Sequence, residues 1–149
     1  MKLIAIVLVP LLFACGGDKG GSAGAPATQA AAPAVPAAPV HDVHMVLVNK
    51  KYRFEPANIT IKAGDVVRWI NTSGGPHNVA FKKDRIPAGA RDVLNAAMKQ
   101  RVLDLAGPYL KDPEASYSVS FAGAPAGTYA YACLPHEPMG MVATLTVKP

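Results

Sequence analysis

A chain of 149 residues has room for one domain with some chain to spare. Its formal charge of +5 comes from basic residues scattered along the sequence, so the dense basic stripe of a dedicated nucleic-acid binder is missing. Acids are few, and no Ser-His-Asp or paired-carboxylate arrangement stands out.

The first stretch, residues 1–14, has one charge, Lys2, followed by an apolar run from Leu3 to Phe13 interrupted only by Pro10. A span of the bilayer needs about 20 apolar residues, so this run suits the core of a signal peptide. It ends in Leu12-Phe13-Ala14-Cys15, which resembles a bacterial lipobox, with Phe13 bulkier than usual at its place. The resemblance implies that Cys15 is acylated and becomes the new N-terminus. Gly16 stands where an aspartate would retain an enteric lipoprotein at the inner membrane, which favours the outer membrane in a cell that has one.

Residues 16–40 are Gly/Ser-rich and then Ala/Pro-rich, without apolar periodicity. Such a composition has nothing to bury and is expected to form a tether, partly polyproline-II. It would reach about 80 Å at full extension and roughly 25–30 Å as a flexible coil. With the lipidated cysteine it makes up residues 15–40, and the folded domain is expected over 41–149.

Within that domain Val43 to Val48 reads as a strand and Lys51 to Phe54 as a second extended piece. Ile59 to Ile61 alternates, Ala63-Gly64-Asp65 turns, and Val66 to Ile70 is a strand ending at Asn71. A turn-rich loop from Asn71 to Pro76 then delivers His77, and Asn78 to Phe81 returns to strand. Leu94, Met98, Val102 and Leu105 recur at helical spacing, with Asp92 as N-cap and Gly107-Pro108 as a stop, predicting a helix near 92–106. Ser116 to Phe121, Thr128 to Cys133 and Thr144 to Val147 complete the strands. Short strands with frequent turns predict an all-β sandwich carrying one helical insertion.

The chemistry concentrates between the last two strands, where a tight loop carries Cys133, His136, Met139 and Met141. The two cysteines do not suit a structural disulfide, since Cys15 ends the leader and Cys133 sits in this loop. A free thiol in an exported protein is protected well by a bound metal. One thiolate, the imidazoles of His136 and His77, and a thioether make the ligand set of a mononuclear copper electron-transfer centre. Soft sulfur suits Cu(I), while imidazole serves both oxidation states. Zinc could occupy the same pocket, although methionine is an odd ligand to build for it. Pro135 and Pro138 stiffen the loop, and Gly140 turns it without a Cβ penalty.

Residues 43–149, outside the helical insertion, resemble the cupredoxins, particularly plastocyanin and pseudoazurin. The likeness is densest in Asn71-Thr-Ser-Gly-Gly-Pro-His-Asn-Val79, Ile86-Pro-Ala-Gly89 and Tyr129 to Val147. It implies an eight-stranded Greek-key sandwich that carries single electrons between redox proteins and performs no substrate chemistry. His77, Cys133 and His136 would be the equatorial ligands. Asn78 resembles the family asparagine that ties the two ligand loops together, its backbone amide directed at the cysteine sulfur. Met139 lies six residues after the cysteine, as in amicyanin, and Met141 eight after it, as in pseudoazurin. The loop and the register of the following strand select Met141 as axial ligand and leave Met139 on the surface.

The chain also departs from plant plastocyanins. Lys82-Lys83-Asp84-Arg85 stands where they carry an acidic patch, and Ala132 where they have a tyrosine before the cysteine. Docking would then use the His136 edge, set among Pro76, Pro135, Pro138 and Met139, with nearby basic residues favouring acidic partners. The partners implied are redox proteins such as cytochromes, an oxidase or a photosynthetic reaction centre, met by a monomer on a lipid anchor in the bacterial cell envelope. A copper storage or delivery protein is the competing reading, and it would need a labile site. A metal-free binding module would lack ligands, and a copper enzyme would need a further domain. His41 and His44 are expected to face solvent rather than form a second metal site.

Overall fold

The computed structural model describes residues 37–149. The leader, Cys15 and nearly all of the expected tether lie outside these residues. Eight strands form two four-stranded sheets. The first sheet has the order β2-β1-β4-β6, from Lys51–Glu55, Val40–Val48, Val66–Asn71 and Ser116–Ser120. The second has the order β3-β8-β7-β5, from Asn58–Lys62, Val142–Lys148, Gly127–Ala132 and Ala80–Phe81. Parallel pairing of β1 with β4 and of β3 with β8 requires the chain to cross between sheets, as in a Greek key.

Local chemistry explains the register. Asn49 and Lys50 both take left-handed φ, 51° and 61°, so a two-residue turn joins β1 to β2 with the twist that adjacent strands need. Alternation then places Val43, Met45, Phe54, Val67 and Trp69 on the inner face of the first sheet. Tyr129, Tyr131, Leu145 and Val147 face them from the second. Trp69 is fully buried and meets the edges of Phe81 and Tyr131 with centroids 6.1 and 5.6 Å apart. Burial of such large side chains is the main source of stability here.

Several sequence expectations need adjustment. β1 starts at Val40, which pairs with Val66, so ordered strand extends one residue into the stretch read as tether. β5 is only two residues long, because Asn78 and Val79 make loop-like contacts with the insertion instead. The helix α1 spans Ala90–Ala97 rather than 92–106, and it is capped by Gly89, with Asp92 in its first turn. Met98 turns extended and Gln100 takes a left-handed φ of 52°, which reverses the chain. The returning segment is held against the helix by Asn95, whose side chain accepts the Leu105 N–H and donates to Asp104. Leu94, Met98 and Leu105 are buried as the periodicity implied, but Leu105 gets there on the return path and Val102 is left exposed.

Candidate metal centre

β4 ends at Asn71, and the following loop carries His77. Asn71 is buried, and its amide donates to the carbonyls of Leu110 and Asp112, pinning the end of the insertion beside this loop. His77 and Leu110 exchange two backbone hydrogen bonds, of 3.1 and 2.7 Å. The helical insertion therefore backs the segment that carries His77.

The second segment follows β7. Cys133 comes directly after Ala132, the last residue of that strand, and caps the 3-10 helix Leu134–Met139 that contains His136. The loop closes on itself: the His136 N–H donates to the Cys133 carbonyl, the Met141 N–H to that of His136, and the Cys133 N–H to that of Met141. Gly140 takes a φ of 84°, which lets the chain leave the helix and enter β8. Asn78 joins the two segments, its side-chain oxygen accepting the Leu134 N–H at 2.9 Å.

These segments bring His77, Cys133 and His136 together, all buried. The Nδ1 atoms of the two histidines are 3.0 Å apart, and the cysteine sulfur lies 3.6 Å from that of His77 and 3.4 Å from that of His136. His77 Nε2 is 2.9 Å from the Ser73 carbonyl. A carbonyl only accepts, so Nε2 carries the proton and Nδ1 turns its lone pair inward. Burial lowers the pKa of both imidazoles, opposed at His77 by the Ser73 carbonyl and reinforced at His136 by the charge His77 would carry. Burial pushes the Cys133 thiol up, opposed by the backbone N–H groups of Asn78 and His136.

Neutral lone pairs converging so closely repel unless a cation lies among them. A point equidistant from the three atoms is about 1.9 Å from each, comparable with metal–nitrogen and metal–sulfur bonds of ~2.0–2.3 Å. One sulfur and two imidazoles are a soft donor set, which suits copper in both oxidation states. Residues 41–148 match the family of copper binding proteins described as plastocyanin/azurin. The chain belongs to that family.

Its relatives agree with this cupredoxin assignment. It is 44% identical to plastocyanin of Scenedesmus fuscus over 95 residues, covering 64% of this chain and 86% of the relative. Against plastocyanin A'/A'' of Nicotiana tabacum it is 39% identical, covering 64% and 87%. Oxidised plastocyanin of Dryopteris crassirhizoma superposes with a TM-score of 0.56 at 30% identity, covering 72% of this chain and all of the other. Pseudoazurin of Methylobacterium extorquens AM1 gives 0.51 at 29%, covering 72% and 74%. The chain is thus a copper-binding electron carrier of the cupredoxin type, not an enzyme.

The other sequence candidates sort by burial. Met141 is fully buried and Met139 is 55% exposed. Pro76, Pro135 and Pro138 are exposed around the loop ends, and His136 keeps 7% exposure while His77 and Cys133 keep none. His41 bonds Asp65 and His44 bonds Thr72, and neither joins a metal-binding group among the described residues. Sequence reasoning overlooked Tyr52, whose ring stacks on His136, and the ion pair of Lys82 with Glu137 in the ligand loop. The signal for Tyr52 was its place two residues before Phe54, on the same face of β2.

Proposed function

We propose that this cupredoxin is a membrane-tethered carrier of single electrons, with His77, Cys133 and His136 as equatorial ligands of one type 1 copper and Met141 as axial ligand. The observation that carries this reading is the convergence of two imidazoles and one thiol in a buried site of which His136 alone keeps a slight contact with solvent. Bound copper would supply the one-electron couple. The protein's part is to hold the donors still and dry: Ser73 orients His77, the loop's own backbone bonds orient Cys133 and His136, and Asn78 joins both segments. Met141 is supported by its burial and by backbone bonds to both Cys133 and His136. The slight exposure of His136 offers the shortest route for an electron to a partner, through the rim formed by Pro76, Pro135, Pro138 and Met139.

The topology also suits an anchor. Val40 pairs with Val66 at the start of β4, whereas the His77 loop leaves from Asn71 at its other end. Strand length separates these ends by roughly 17 Å. A tether acylated at Cys15 would therefore enter at the pole opposite the metal site, leaving the site free to meet partners such as cytochromes, an oxidase or a reaction centre. Among the described residues no helix is long and apolar enough to cross a membrane. In this reading the lipid on Cys15 makes the attachment. We place the protein in the bacterial cell envelope, lipid-anchored and facing the periplasm or the exterior, as a monomer.

The test is the visible absorption of the Cu(II)-loaded protein beside Cys133→Ser. An intense thiolate-to-copper band near ~600 nm, absent from the variant and bleached by mild reductant, is the expected result for thiolate ligation. A colourless protein, or equal copper binding without Cys133, would overturn it. Rapid loss of copper to a chelator would favour storage or delivery instead. Membrane release on Cys15→Ser would support the anchor, and unchanged fractionation would refute it.

A further inference from the structure

Metal-ligating histidines are normally oriented by a hydrogen bond at the ring nitrogen that faces away from the metal. His77 obeys this rule through Ser73. His136 differs: among the described residues, the side-chain contacts of its ring nitrogens are those of Nδ1 with Cys133 and His77, both inside the site. Its ring is met instead by Tyr52, with centroids 3.8 Å apart and planes within 7° of parallel. The same tyrosine ring presents an edge to His77 at 5.9 Å and 73°.

Tyr52 is itself firmly placed. It pairs with Leu47 across the β1–β2 hairpin, and Phe54, two residues on, is buried against Tyr131 at 4.8 Å. The His77 loop passes directly over it: a Cβ on Gly74 would stand 3.1 Å from the Tyr52 ring and 2.5 Å from the Leu47 Cβ. Gly74 also takes a φ of 79°, so glycine is required there twice over. Tyr52 is thus held between the backbone of one ligand loop and the imidazole of the other.

We infer that Tyr52 is the positioning residue for His136, replacing by ring stacking the hydrogen bond that orients other ligand histidines. This inference rests on His136 being a copper ligand. A ring held flat on the imidazole restricts rotation about χ2, so Nδ1 stays aimed at the site both with and without metal. Tyr52 is half-buried, so the stack also extends the π-surface of His136 toward solvent on the side of β2.

The experiment compares Tyr52→Leu and Tyr52→Phe in the purified full-length protein. In the metal-free protein, NMR of the His136 ring should show a single orientation in wild type and Tyr52→Phe, and exchange between orientations in Tyr52→Leu. Copper(I) affinity, measured by competition with a chelator, should fall about tenfold in Tyr52→Leu, within the range for loss of a partner of a metal ligand, and stay within about twofold in Tyr52→Phe. Chemical denaturation of the metal-free variants reports folding separately. If Tyr52→Leu keeps a fixed ring and wild-type affinity, the inference is wrong. It is equally wrong if Tyr52→Phe loses as much affinity as Tyr52→Leu, because the hydroxyl rather than the stack would then matter. A wild-type protein without the thiolate–copper band would refute the ligand assignment itself, whereas a blue wild type with an unaltered Tyr52→Leu variant would refute only the role of Tyr52.

Discussion

Gly75 lies in the loop that carries His77, and its environment predicts a specific non-additivity. A Cβ there would stand 2.6 Å from the Asn71 side-chain nitrogen and 3.1 and 3.2 Å from its oxygen and Cγ. The backbone of Gly75 lies outside the positive-φ region, so an L-residue is accepted and the whole cost of Gly75→Ala is this contact. The amide cannot yield freely, because its nitrogen donates to Leu110 at 3.1 Å and to Asp112 at 3.0 Å. Displacing it breaks both bonds, while the N–H groups of His77 and Ala115 still reach the two carbonyls, so the cost is about 1–3 kcal/mol for the pair. Asn71→Ala should cost a similar amount. In the double variant the added methyl occupies space the amide has vacated, so Gly75→Ala should add less than about 0.5 kcal/mol, a coupling of about 1 kcal/mol or more. Urea denaturation of the four metal-free proteins measures the cycle. If the single costs simply add, the collision with Asn71 is not what makes glycine necessary at position 75.

Met141→Leu should change the colour and potential of the copper-loaded protein, while Met139→Leu should leave its spectrum unaltered; the reverse outcome would assign the axial role to Met139. Asp65 accepts from the Lys62 N–H and His41, in that order of effect, and its carboxyl is held below its ordinary 3.8. Because the folded pKa is the lower one, this contribution is complete above about pH 5 and fades as pH falls through the folded pKa. Urea midpoints at pH 5 and 3 should therefore differ less in Asp65→Asn than in wild type, and equal differences would contradict the linkage. The Lys82–Glu137 pair, at 30% and 37% side-chain exposure, should contribute no more than about 1 kcal/mol and weaken with salt. A loss in Glu137→Gln well above that, insensitive to salt, would mean that the pair is screened from solvent.

Much of the fold was legible because its signals are local. Period-2 alternation marked the strands, glycine and proline marked the turns, and the spacing of Cys133, His136 and Met141 placed three sulfur and nitrogen donors on one short loop. The pairing of that loop with His77 was read from the donor set that copper needs, since nothing within either segment specifies the other. The extent of the helix was misjudged because Leu105 keeps helical spacing with Leu94 and Met98 while reaching the core on a reversed chain. Periodicity records which residues are buried, not the path that buries them.

What the sequence determined by itself was the chemistry of the site: which donors exist, their softness, and the proline- and glycine-bearing loop that holds three of them. Tertiary structure decided the surroundings of those donors. Burial of Met141 and exposure of Met139, the Ser73 carbonyl behind His77, the Leu110 ladder and the Tyr52 ring over His136 all join residues remote in sequence. Such contacts follow from how two sheets pack, and a side chain's partners across a core are not encoded in its own neighbourhood.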